Sequence, residues 1–154
     1  MSSSLLAVDA ASKNQLREML SAYLNELGQY SEVDLSYKYF DSYWLDCNRW
    51  PFFIEKENET VGFVLLNTWS PSQKGTDYAI AEFCVLPEFR GSGIGKSAVT
   101  KLLHSRPGLW EISVVLRNKT AKAFWTSALK IPGVFELEQI DFEDRLVFRF
   151  SNEP

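Results

Sequence analysis

The chain has 154 residues, of which 45% are hydrophobic, 14% aromatic and 23% charged, with a formal net charge of −4. That is the size and make-up of one globular domain spanning residues 1–154, and it excludes disordered and collagen-like chains. No apolar run approaches the roughly 18 to 20 residues that cross a bilayer, no basic segment precedes the apolar residues 5–8, and the acidic balance disfavours non-specific nucleic-acid binding; a cytoplasmic protein without membrane or nucleic-acid partners is expected.

Taken in chain order, residues 5–8 read as a short first strand. Ser12 with Gln15 three residues on is a capping-box pattern that opens a helix. Leu16, Met19, Leu20, Tyr23, Leu24 and Leu27 then follow helical spacing, a buried stripe that ends at Gly28. Leu35, Tyr39, Phe40, Tyr43 and Trp44 recur at similar spacing and predict a second, aromatic helix over 35–45, stopped by residues 46–51. Residues 52–56, 61–69 and 78–86 are β-rich runs separated by turn-prone segments, which predicts an antiparallel meander with a bulge or bend at Gly62.

After Pro87 the period changes, and Ile94, Ala98, Val99, Leu102 and Leu103 form one face of a helix that stops before Pro107-Gly108. Residues 110–116 are a nearly continuous apolar strand, as when both faces are covered. Asn118 or Thr120 caps a further helix that buries Ala121, Phe124, Trp125, Ala128 and Leu129, and residues 134–140 and 145–150 close the chain as a hairpin. The fold class is therefore α/β: a mixed, mostly antiparallel central sheet of about seven strands with helices on both faces.

Cys47, Cys84 and His104 are too few and too scattered for a thiolate or imidazole zinc site, and no metal is expected. Charge is segregated along the chain. Residues 87–130 hold eight bases against two acids, whereas residues 1–86 hold twelve acids against six bases. Such a split suits an anionic ligand in the middle of the chain and a cationic one at its first part.

The most informative stretch is a strand, 81–86, running through Arg90-Gly91-Ser92-Gly93-Ile94-Gly95-Lys96-Ser97 into a helix. Glycines permit positive φ and close approach of the backbone to an anion, and the free N–H groups of the first helical turn point at it along a favourable dipole. A Walker A loop fails here because Arg90 stands where its first glycine belongs. A dinucleotide fingerprint fails because the motif comes late in the chain and Glu111 sits at the start of the next strand rather than its end.

Val85 followed by Arg90, Gly93 and Gly95 resembles the acetyl-coenzyme A signature of the GNAT superfamily of N-acetyltransferases, and Asn118, Ala121, Phe124 and Trp125 resemble the family's motif on the next helix. The resemblance implies a sheet that splays between its fourth and fifth strands. It implies acetyl-coenzyme A as cosubstrate, with the N–H groups of Arg90, Gly91, Ser92, Gly93, Ile94, Gly95 and Lys96, and Ser97 as a further donor, around the pyrophosphate. Backbone groups of Phe83 and Val85 would pair with the pantetheine arm, Asn118 would contact that arm, and the Val85 N–H would face the thioester oxygen. Trp125, on the coenzyme side, occupies the position at which many members carry a tyrosine that protonates the leaving thiolate.

Transfer to an amine requires removal of a proton from an ammonium, and Glu82, a carboxylate within an apolar strand, is the first candidate base. A plain structural pairing of Glu82 with a neighbour stands beside that reading. Tyr37, Tyr39, Tyr43, Trp44 and Trp50, with Asp41 and Asp46, can wall a site for an organic cation or can simply be packing. The chain is thus read as an N-acetyltransferase acting on a primary amine of a small molecule or peptide by direct attack in a ternary complex. The alternative is a silent acyl-coenzyme A sensor or partner-binding module, and the closing hairpin offers an edge for a homodimer.

Overall fold

The computed structural model describes residues 3–153. Its elements run β1 (Ser4–Ala7), α1 (Lys13–Leu27), β2 (Trp50–Lys56), β3 (Glu59–Asn67), β4 (Tyr78–Val85), α2 (Ile94–Ser105), β5 (Gly108–Val115), α3 (Lys119–Ala128), β6 (Val134–Asp141) and β7 (Arg145–Asn152). The strands form one seven-stranded sheet in the order β1-β2-β3-β4-β5-β7-β6, antiparallel throughout except for the parallel pair β4 and β5.

Two cores sandwich the sheet. On one face Leu16, Leu20 and Leu24 of α1 pack with Phe53, Phe63, Leu65 and Cys84. On the other, Ala98, Val99, Leu102 and Leu103 of α2 and Trp125 and Ala128 of α3 pack with Val64, Leu66, Trp110 and Phe148. The alternation of β3 side chains between the two sets is the period-2 signature of a strand covered on both sides.

Local chemistry departs from the sequence expectation in two places. The α1 entry is capped one turn earlier than the Ser12 pattern implies: Asp9 accepts from the Ser12 N–H, and the Ser12 side chain caps nothing. The helix expected over 35–45 does not form; only the short 3-10 turn Asp41–Trp44 is helical. Asp34 instead accepts from the N–H groups of Ser36 and Lys38, an Asx arrangement that competes with helix, and Tyr37 takes a left-handed φ of 48°. Arg17 and Trp44 then tie the segment down through the carbonyls of Leu35 and Val8.

Two register shifts shape the sheet where the site lies. One falls between Ile54 and Glu55 of β2, opposite Val61, and the other leaves Ala81 of β4 unmatched between Leu65 and Leu66. Such bulges re-aim side chains and sharpen twist. Beside the first, a Cβ on Gly62 would stand 2.2 Å from the Cys84 carbonyl oxygen and 3.1 Å from the Val85 Cα. Both obstacles are backbone, so β3 and β4 must part to admit it. Gly62→Ala is expected to lose about 2 to 3 kcal/mol in urea unfolding.

The β4–β5 pairing covers only Tyr78–Trp110, Ala79–Glu111 and Ile80–Ile112. Beyond it the strands diverge, leaving Glu82 to Val85 paired with β3 alone.

Candidate functional site

The gap between β4 and β5 exposes one side of the β4 backbone. Leu86 donates its N–H to the Val61 carbonyl on the β3 side, so strand alternation turns the N–H and C=O of Val85 the other way, into the gap. The Val85 carbonyl is taken by Arg90 Nε at 2.7 Å, which leaves its N–H as the available donor. Arg90 also grips Glu26 of α1 with two 2.9 Å bonds, so its side chain fastens the end of β4 to α1 and is not free to meet a phosphate.

The glycine-rich turn that follows is built as a donor cradle. Gly91 and Gly93 adopt φ of 82° and 83°, a region that side chains rarely enter, and Gly93 leads directly into α2. Among the described residues, the N–H groups of Gly91, Ser92, Gly93, Ile94, Gly95 and Lys96 have no partner, whereas that of Arg90 is taken by Pro87 and that of Ser97 by Gly93. Gly95 serves a different need: a Cβ there would meet Phe124 at 2.8 Å, so its bareness sets the approach of α2 to α3. The Ser97 hydroxyl is engaged with Ser3, and the Ser92 hydroxyl donates to the Phe89 carbonyl. The cradle is therefore one of backbone groups, with Lys96 exposed at its edge.

On the α2–α3 side of the sheet Phe83 stacks on Phe124 at 5.5 Å and meets Trp125 at 5.2 Å. Trp125 is buried, and Asn118 spends its side-chain oxygen capping α3 through the Ala121 N–H.

The bulge at Ala81 puts Glu82 on the α1 side, where it receives two hydrogen bonds: Tyr23 donates to Oε1 at 3.0 Å and Tyr37 to Oε2 at 2.9 Å. Burial pushes the Glu82 carboxyl up and the two tyrosine bonds pull it partly back, which leaves it at about 7. Burial, then the Glu82 charge, drives both tyrosine hydroxyls well above their ordinary range. The group keeps partial access to solvent. A carboxylate so placed can exchange a proton near neutrality. Cys84, its thiol raised to about 11 by burial first of all, is unsuited to act as a nucleophile.

Of the aromatic wall expected from the sequence, Tyr43 is buried and accepts from Asn67 at 3.3 Å, Trp44 is tied to Val8, and Tyr39 is exposed. Tyr37, expected in that wall, donates to Glu82 instead, and the structure adds Tyr23 as the second partner of that carboxylate. Tyr23 was legible only as one member of the α1 stripe; its polar tip among leucines was the available signal. Among the described residues no cluster of His, Cys, Asp or Glu could hold a metal, and no helix is long and apolar enough to cross a membrane.

Several solved structures share this architecture over nearly their full length. An acetyltransferase from Thermus thermophilus superposes with a TM-score of 0.74 at 17% identity, covering 99% of this chain and 98% of its own. RimL, a ribosomal L7/L12 alpha-N-protein acetyltransferase in complex with coenzyme A, gives 0.68 at 16% identity, covering 99% and 95%. The structure of yncA from Salmonella typhimurium with its cofactor acetyl-CoA gives 0.60 at 13%, covering 99% and 94%. No curated protein matches by sequence. The sequence pattern of the acetyltransferase (GNAT) family matches residues 14–129, a stretch holding all but the first residue of α1, the bulged β4, the donor cradle and α3; the chain belongs to that family.

Proposed function

We propose that the protein transfers an acetyl group from acetyl-coenzyme A to a primary amine of a small molecule or peptide by direct attack in a ternary complex. The observation that carries this reading is Glu82, raised to about 7 and held by two tyrosines, three residues from a Val85 N–H that faces the β4–β5 gap. RimL and yncA, with coenzyme A and acetyl-CoA bound, lend support at the level of fold.

Acetyl-coenzyme A fits the residues present: the unpartnered N–H groups from Gly91 to Lys96 suit its pyrophosphate, and the unpaired edge at Phe83 and Val85 suits an extended amide-bearing arm. Bound there, it would supply an activated acetyl group. The work of the chain is to take a proton from the ammonium at Glu82 Oε1 or Oε2, directly or through water, and to offer the Val85 N–H to developing negative charge. Trp125 carries no usable acid proton and is buried, an observation that favours the second reading, a silent acyl-coenzyme A binder.

Thermal unfolding with acetyl-coenzyme A, coenzyme A, ATP or NAD tests the cosubstrate. A ligand at about a hundred times its Kd adds about 2.7 kcal/mol, which is about 5 to 10 °C for a domain of this size. A gain with the two coenzymes only is expected, and Gly93→Val, which forces a β-branched residue to a φ of 83°, is expected to lose most of it. A gain with ATP or NAD alone overturns the reading. Thiol release on adding an amine panel then separates the enzyme from the silent binder.

A further inference from the structure

The wall that would suit a polycationic acceptor is already saturated by the protein's own cations. The Arg49 guanidinium lies 5.1 Å from the Tyr39 ring and 5.5 Å from the Tyr43 ring, and the Lys13 ammonium lies 5.0 Å from the Trp44 ring. The nearby acids are committed too: Asp41 pairs with Lys13 at 2.7 Å, Asp46 with Arg49 at 3.2 Å, and Asp34 is held in its own turn. A second cation would have to displace these internal ones.

The opposite charge is open. A cavity of about 450 Å³ lies between the end of α1, the segment after it and the turn beyond β5. Leu24, Gly28, Tyr30, Glu32, Leu35 and Arg117 are among the residues that line it, and its size suits a small molecule or a few residues of peptide. Arg117 has no ion pair or hydrogen-bond partner for its guanidinium among the described residues. It follows β5 at the end where β4 and β5 have parted. Two lining residues are chain neighbours of the Glu82 partners: Leu24 follows Tyr23 on α1, and Leu35 stands two residues before Tyr37.

We infer that this cavity holds the body of the acceptor and that the acceptor is an amino carboxylate, its amine directed to Glu82 and its carboxylate paired with Arg117. The inference rests on the acetyl-transfer reading above. A guanidinium presents a planar fork that matches a carboxylate with two parallel bonds, and an arginine without an internal partner is free to do so. Glu32, the other charged residue of the lining, repels a doubly charged phosphate about twice as strongly as a singly charged carboxylate. A free amino acid and a peptide bearing a carboxylate offer the same chemistry.

The test uses the full chain saturated with acetyl-coenzyme A. The acceptors are a series of straight-chain amino acids of increasing length, lysine, and a short peptide with a free carboxyl terminus. Each is paired with its amide, with matched alkylamines and phosphoethanolamine alongside. Thiol release and the melting temperature of the coenzyme A complex are both read. At least one amino carboxylate is expected to exceed its amide tenfold or more in kcat/KM and to raise the melting temperature where the amide does not. Arg117→Gln is expected to raise the KM for that carboxylate at least tenfold while the amide and the coenzyme are unaffected. Equal use of carboxylates and amides, preference for phosphoethanolamine, or an equal loss for all acceptors in Arg117→Gln overturns the inference while leaving acetyl transfer intact. Absence of any coenzyme-induced stabilisation overturns both.

Discussion

Glu82→Gln is expected to lower acetyl transfer by a factor between about a hundred and ten thousand while leaving the stabilisation by coenzyme A unchanged. The amide keeps the shape of the side chain and can still accept from one tyrosine, so the two hydroxyls at 3.0 and 2.9 Å remain in place; what is lost is the capacity to take a proton. In the parent protein the rate should climb through about pH 7 as the Glu82 carboxylate forms. Tyr37→Phe removes a bond that favours the carboxylate, so the same climb should move to higher pH. The stability signature has the opposite sense. The folded chain keeps this proton up to about pH 7, whereas an unfolded chain loses it in the ordinary carboxyl range. The folded state therefore binds more protons between those limits, and Glu82 costs stability as pH rises through them. Glu82→Gln should melt no lower than its parent at pH 8. A variant that melts much lower, or turns over normally, assigns Glu82 a structural role.

Arg149→Leu is expected to destabilise the fold by about 3 to 5 kcal/mol in urea unfolding, because it leaves the Glu111 carboxylate buried without its charge partner. Glu111 is fully buried and Arg149 is 15% exposed. Their ion pair is completed by Ser70, by Ser72 through both its N–H at 2.9 Å and its hydroxyl at 2.7 Å, and by the Arg149 bond to the Gly75 carbonyl at 2.6 Å. These groups belong to the β3–β4 loop, β5 and β7, so one buried charge pins the loop against the sheet. Burial by itself pushes the Glu111 carboxyl up, and the bonds from Ser72, Ser70 and Arg149 outweigh it and hold the carboxyl low. That contribution is present above the ordinary carboxyl range and is lost as pH falls from that range to the lower pH at which the folded Glu111 takes its proton. The double change Glu111→Leu with Arg149→Leu should recover much of the loss, since an apolar pair replaces two buried charges. Equal stability of the single variant and the parent would show that the pair contributes nothing.

The parts of this molecule governed by short-range periodicity were readable from the residues. The α1 stripe, the continuous apolar β5 and the closing hairpin all appear within a few residues of their expected bounds, and the glycine-rich turn lies where its motif places it. What escaped depends on distant partners. The 35–45 segment has helical spacing, yet Asp34, the left-handed Tyr37 and tethers from Arg17 and to Val8 decide its path. Tyr23 and Tyr37 meet Glu82 across 59 and 45 residues of chain, a distance over which one sequence carries no pattern. Glu111 showed only as an acid at a strand start; its arginine lies 38 residues further on.

Sheets ordinarily show unpaired strand edges at their rims, where another polypeptide can add to them and where lysines, prolines or bulges discourage it. In this fold an edge opens in the interior of the sheet, between β4 and β5, with α1 over one face and α2 and α3 over the other. A second sheet cannot approach it sideways. The seam therefore offers aggregation no template while keeping its donors unspent.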